Sequence, residues 1–199
     1  MAGLLALALS GSPAAVLASE GAIGPEELRR PEPSPVKGAK LSVLGGVEGY
    51  SGRLAPRVNP GVAWGVVVGT QPLNRMGVEL AYSGASNALT DPRFEGGRMV
   101  RNGVGLNVKF SLTPSRVEPY LYGGIGVSFA SISDVPVASG YGDDVFGVVP
   151  LGAGVGFHLG TWLLGARGEL GFLFAQQLGP TATSGAKMWN GRVELGARF

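Results

Sequence analysis

The chain has 199 residues, of which 35 are glycine, 15% are charged and none is cysteine. Average usage is about 7% glycine and about 25% charge, so this is not the composition of an ordinary soluble surface. The lack of a G-X-Y period excludes collagen, and the lack of cysteine excludes disulfides and thiolate metal sites. A net charge of +2 without a Lys/Arg cluster excludes a nucleic-acid footprint, and no nucleic acid is expected as a partner.

The N-terminus reads as an export signal. Ala2–Leu9 is an apolar run, Ser10-Gly11-Ser12-Pro13 interrupts it, and Val16-Leu17-Ala18 is the exit, which predicts a signal peptide over residues 1–18. No Lys or Arg precedes the run, and the run is shorter than the about 20 apolar residues of a membrane-spanning helix. Residues 19–39, with Arg29-Arg30-Pro31-Glu32-Pro33-Ser34-Pro35, read as a charged, Pro-rich flexible linker.

From residue 40 to 199 the pattern has period two, over eight segments. The first is Leu41–Ser51, with Leu41, Val43 and Val47 on one face and Ser42, Glu48 and Tyr50 on the other. The second is Gly61–Thr70, carrying Val62, Trp64, Val66 and Val68. In the third, Met76–Gly84, Val78, Leu80 and Tyr82 alternate with Gly77, Glu79 and Ala81. In the fourth, Arg98–Phe110, Val104, Leu106, Val108 and Phe110 oppose Arg101, Asn107 and Lys109. The fifth, Tyr120–Ala130, sets Leu121, Ile125, Val127 and Phe129 against Tyr120, Tyr122 and glycines. The sixth, Phe146–Leu159, sets Val149, Leu151, Val155 and Phe157 against glycines and His158. In the seventh, Trp162–Phe174, Trp162, Leu164, Leu170 and Phe172 oppose Arg167 and Glu169. In the eighth, Met188–Phe199, Trp189, Val193, Leu195, Ala197 and Phe199 oppose Arg192, Glu194 and Arg198. Segments this rich in glycine are not stable helices, since each interior glycine costs about 1 kcal/mol against alanine.

The connections alternate in length. Gly52–Pro60, Ala85–Gly97, Ser131–Val145 and Ala175–Lys187 are long, whereas Gln71–Arg75, Ser111–Pro119 and Gly160–Thr161 are shorter. Long loops on one side and short turns on the other are the asymmetry of outer-membrane barrels. The expected fold is all-β: an eight-stranded antiparallel up-and-down transmembrane β-barrel.

The polar face decides between a membrane barrel and a soluble one. On a soluble barrel it would face water and be rich in Lys, Glu, Thr and Ser. Here it is glycine with sparse charges of both signs: Glu48, Glu79, Arg101, Lys109, Arg167, Glu169, Arg192, Glu194 and Arg198. A lumen just wide enough for side chains to fill accounts for that. Buried charges must be paired, so these nine are expected to form an ion-pair network that plugs the barrel. Aromatic residues sort to strand ends as an interfacial girdle does: Tyr82, Phe129, Phe172 and Trp189 at the long-loop ends, and Phe110, Phe157 and Trp162 at the short-turn ends.

No catalytic, cofactor-binding or metal-binding constellation emerges. His158 is the only histidine, no Ser or Thr follows it two residues later, and its parity points it into the lumen. Asp134 with Asp143-Asp144 could hold a cation, a reading outweighed by loop solubility. Gly152-Ala153-Gly154-Val155-Gly156 mimics a dinucleotide fingerprint without the helix that fingerprint needs.

Pro119-Tyr120-Leu121-Tyr122-Gly123-Gly124, Gly77-Val78-Glu79-Leu80-Ala81-Tyr82 and the closing Val193-Glu194-Leu195-Gly196-Ala197-Arg198-Phe199 together resemble the small OmpA-like and OmpW-like outer-membrane barrels over about residues 40–199. The resemblance implies that Val193, Leu195, Ala197 and Phe199 form the terminal signal read by the barrel-assembly machinery. It implies outer-membrane lipid as the surroundings and an extracellular partner for the long loops. The expected function is a structural or surface-interaction role with a plugged lumen; the alternative is narrow-pore transport of small solutes or ions.

Overall fold

The computed structural model describes residues 38–90, 96–134, 143–175 and 186–199, with the side chain of Arg53 excepted. The predicted signal peptide and residues 19–37 lie outside the described residues, as do 91–95, 135–142 and 176–185 of the long connections.

Eight antiparallel strands close into a barrel in chain order. They are β1 (Gly38–Ser51), β2 (Gly61–Gln71), β3 (Met76–Ala88), β4 (Arg98–Ser111), β5 (Val117–Ser133), β6 (Asp144–Leu159), β7 (Trp162–Phe174) and β8 (Lys187–Arg198). A single 3-10 turn, Gly52–Leu54, follows β1. The seam is β1 against β8, in register from Lys40↔Arg198 to Ser51↔Lys187. Beyond it, Phe199 and Ala39 exchange two backbone hydrogen bonds of 2.9 and 3.1 Å. Every strand therefore has two neighbours, and no backbone edge is left in a medium that could not solvate one.

Several strands extend past their sequence-read limits. β1 takes in Gly38 and Ala39 from the linker, β3 continues to Ala88, and β5 begins at Val117 and ends at Ser133. The unusually long Ser111–Pro119 connection thereby shortens to the turn Leu112–Arg116. Pro119 sits inside a ladder opposite Val155, and Val117-Glu118 continue the alternation below it. The other in-strand proline leaves a mark: β5–β6 pairing is interrupted between Gly123↔Leu151 and Gly126↔Val148, opposite Pro150, which has no N–H to donate. The tightest hairpin joins Leu159↔Trp162 through Gly160-Thr161, with Gly160 at φ 63° in the left-handed region that glycine enters without strain.

The alternation resolves into two surfaces. Leu, Val, Ile and aromatic side chains at one parity are exposed on the outside of every strand, among them Leu80, Leu106, Ile125, Leu151, Leu170 and Val193, each more than half exposed. An apolar wall of that extent is far beyond what a soluble monomer shows to water, and it is the lipid-facing band of a transmembrane barrel. The other parity is buried inside and holds nearly all the polar residues.

Glycine works at this wall by pairing with aromatic rings. Trp64 lies over Gly84, Trp189 over Gly49 and Phe174 over Gly147 on the outside; Tyr122 lies over Gly152 and Tyr120 over Gly154 inside. Each is a directly opposed cross-strand pair, and in each the ring occupies the space a Cβ would need. Cross-strand pairs are the unit of sheet stabilisation, and an aromatic ring shields a glycine backbone that has no side chain of its own.

Gly84→Val should therefore evict the Trp64 ring and lower unfolding stability by about 1–3 kcal/mol, measured by urea titration in detergent. In a Trp64→Ala background the same substitution should cost much less, and equal costs in both backgrounds would refute the pairing.

Candidate functional site

The inward parity of the eight strands brings the charged residues together. Three regions of ion pairing and one apolar layer follow one another along the lumen.

At the short-turn end, the carboxylate of Glu118 is fully buried and has three partners. Lys109 Nζ and His158 Nε2 each lie 2.8 Å from it, Ser111 Oγ donates to it, and Gln71 Nε2 donates to Ser111 at 2.9 Å. His158, the only histidine in the chain, is thus held by a carboxylate that also takes Lys109 and Ser111. Lys109 also stands 4.5 Å from the centre of the Tyr120 ring. Arg198 lines the same end of the lumen with Lys40, Gln71, Glu79 and Lys109.

Above this cluster, four charges from four strands close a ring. Lys40 Nζ contacts Glu79 at 2.6 Å and Glu194 at 3.1 Å; Arg167 contacts Glu79 at 3.2 Å and Glu194 at 2.6 Å. Each cation touches both carboxylates and each carboxylate both cations. All four side chains are 6% exposed or less. The Arg167 guanidinium also lies 5.7 and 5.2 Å from the Tyr120 and Tyr122 ring centres. Beside the ring is a cavity of about 50 Å³, lined in part by Arg101, Asn107, Arg167, Glu169 and Arg192. It has room for a few waters and no more.

Toward the long-loop end, Arg101 makes a two-pronged pair with Glu48, Nε to Oε1 at 2.8 Å and Nη2 to Oε2 at 2.6 Å. Its remaining nitrogen donates to Ser83 at 3.2 Å and Ser128 at 3.0 Å. Arg192 shares Glu48 at 3.2 Å, and Tyr50 donates to it at 3.3 Å. Glu169 accepts from Tyr122 at 3.1 Å and from Asn190 at 2.9 Å. The structure thus places all nine residues singled out from the sequence on the inner face. It adds Lys40, one residue before the first segment read from the sequence, and Glu118, read as part of a turn. Both lie on the inner parity of their strands, two residues from Ser42 and Tyr120, which is the signal that would have found them.

The interior at the long-loop end is not glycine and charge. Tyr50, Met99, Ala130, Phe146, Val148, Leu173 and Met188 face inward there and pack with Leu54, Val58 and Ala186 of the connections. The β1–β2 connection is drawn into this cluster. Leu54 and Val58 are 2–3% exposed, Val58 bridges to Leu89, and Asn87 Nδ2 donates to the carbonyls of Glu48 and Asn59 at 3.0 and 2.9 Å. An expectation of a purely polar inner face is corrected here: near the mouth that face is an apolar core.

The remaining residues singled out from the sequence lie outside the barrel. Phe129 and Phe172 are exposed near the long-loop end and Phe110, Phe157 and Trp162 near the short-turn end, while Trp189 is half-buried against Gly49. Tyr82 is exposed at mid-strand and not in a girdle, because β3 continues to Ala88 and leaves it midway along Met76–Ala88. Val193, Leu195 and Phe199 point outward on the seam strand, with Ala197 between them. Asp143 accepts from the Ile132 amide at 3.1 Å, Asp134 turns the chain at φ 61°, and no metal-holding group of three forms among the described residues.

No protein-family model and no curated protein matches the chain. Solved structures do match. Neisserial surface protein A aligns over 82% of this chain and 98% of its own, at 14% identity and a TM-score of 0.65. This chain has the fold of the small outer-membrane barrels. The N-terminal β-barrel domain of Pseudomonas aeruginosa OprF aligns over 82% and 98%, at 15% identity and a TM-score of 0.53. Ail, the attachment invasion locus protein of Yersinia pestis, aligns over 82% and 99%, at 16% identity and a TM-score of 0.50. In a lumen filled by side chains, buried charges must be neutralised by one another.

Glu194→Gln leaves Lys40 and Arg167 to share Glu79 alone, and should destabilise the barrel by about 3 kcal/mol. Adding Lys40→Met restores one cation to one carboxylate and should recover part of that loss. Urea midpoints in lipid vesicles measure both, and a Glu194→Gln midpoint equal to wild type would contradict the closed ring.

Proposed function

We propose that the protein is a bacterial outer-membrane barrel with a structural or surface-interaction role, carried by its long-loop end, and that its lumen does not conduct. The observation that carries the proposal is a double closure: the Lys40–Glu79–Arg167–Glu194 ring at one level and the Met99–Phe146–Met188 cluster at another. A solute passing through would have to separate buried ion pairs, at several kcal/mol each, and then open an apolar core. The cavity between them is too small to be part of a route.

Residues 1–18 would direct export, and Val193, Leu195, Ala197 and Phe199 would be presented to the barrel-assembly machinery along the seam. Two of the similar structures are named as a surface protein and as an attachment invasion locus protein, which supports a surface role. The long connections would then meet an extracellular partner, and the lipid of the outer membrane would surround the wall.

Planar-bilayer recording tests the closed lumen. Purified protein should give no steady conductance, and stepwise ion-sized openings would overturn the proposal in favour of a narrow-pore transporter.

A further inference from the structure

The two ends of the wall carry charge differently. At the long-loop end the described residues expose both signs, Arg98 and Lys187 with Asp134 and Asp143. At the short-turn end they expose cations. Arg75 closes the β2–β3 turn and Arg116 the β4–β5 turn, and both are exposed. No Asp or Glu side chain is exposed there among the described residues: Glu118 is buried on Lys109, and Glu79 and Glu194 are buried in the ring. The carboxylate of Phe199 already accepts from the Ala39 amide at 3.1 Å. The backbones of both arginines are fixed at the rim. The Ser111 amide donates to the Arg75 carbonyl at 2.7 Å, and the His158 amide to the Arg116 carbonyl at 2.8 Å.

The same turns are apolar. Leu73 and Leu112 are 57% and 44% exposed, and Met76, Phe110 and Val117 beside them continue the outer wall. Cations set among such side chains stand where the lipid-facing band ends, at the depth of headgroups. We infer that the short-turn rim over β3–β5 docks net-negative phospholipid headgroups of the leaflet on that side and disfavours zwitterionic ones. Every phospholipid brings a phosphate that Arg75 and Arg116 attract. A zwitterionic headgroup also brings an ammonium group, which this rim repels and has no carboxylate side chain to hold. A net-negative headgroup carries no such penalty. The mixed rim at the long-loop end satisfies both signs and makes no such choice. The inference rests on the membrane placement proposed above.

Phe110 lies between the two arginines' strands, paired with Met76 on β3 and Leu121 on β5. Phe110→Trp, in a chain whose three native tryptophans are replaced by phenylalanine, sets a fluorescent reporter there. In vesicles that mix phosphatidylglycerol with phosphatidylcholine, with one or the other brominated, quenching reads which lipid stands beside it. Brominated phosphatidylglycerol should quench more strongly. Arg75→Gln and Arg116→Gln should each lower that preference, by up to about five-fold, and Arg98→Gln should leave it unchanged. Phe129→Trp, at the other end, should show no preference. Equal quenching by the two lipids at position 110 would overturn the inference. So would a preference that survives both arginine substitutions, or one of the same size at position 129, which would reflect the chain's net charge alone. A chain that enters the vesicles without the preference refutes this inference alone, whereas one that does not enter refutes the membrane placement and this surface with it.

Discussion

The lumen of this eight-stranded barrel has room for a few waters at most, so each inward charge must find its counter-charge on another strand. Much of this molecule follows from that. Lys40, Glu79, Arg167 and Glu194 come from β1, β3, β7 and β8, and each satisfies two others. A slip of one residue in any register would point a charge at lipid and leave its partners unpaired, so the ring and the register specify one another. Glycine on the same face makes the space: two tyrosine rings lie flat on Gly152 and Gly154, where they bracket the Arg167 guanidinium.

The outer wall obeys the complementary constraint. Burying its apolar side chains requires a membrane, and the membrane requires that no backbone group be left unpaired, which the β1–β8 seam and the Phe199–Ala39 bonds ensure. Where the wall would otherwise present bare glycine, Trp64, Trp189 and Phe174 cover it. The long-loop end is built differently. There the lumen is apolar, and Leu54 and Val58 fold the first long connection into it. The surface offered beyond the membrane thus begins on a packed base instead of an open mouth.

Much of this was legible in the sequence because strict period two encodes both faces at once. Eight segments, alternating loop lengths and the inward parity of Glu48, Arg101, Arg167 and Glu194 needed no structure. What escaped did so for physical reasons. Glu118 was read as part of the Ser111–Pro119 connection, yet the ladder runs on through Pro119, at a position that admits a residue with no N–H to donate. Lys40 fell one residue before the first segment, Leu41–Ser51. Met99, Phe146, Leu173 and Met188 carry the inward parity but an outward chemistry, and only the folded connections show what they pack against. Which cation meets which carboxylate depends on distances around a closed barrel, which a linear pattern does not hold.

The two-faced wall is the central claim, and the absence of cysteine makes it directly measurable. Single cysteines at positions 77 to 82 of β3, spin-labelled in lipid vesicles, report contact with dissolved oxygen in the bilayer. Val78→Cys, Leu80→Cys and Tyr82→Cys should be oxygen-accessible, and Gly77→Cys, Glu79→Cys and Ala81→Cys should be shielded. The opposite alternation, or labels equally accessible to a water-soluble nickel reagent at every position, would contradict a lipid-facing apolar wall around an ion-paired lumen.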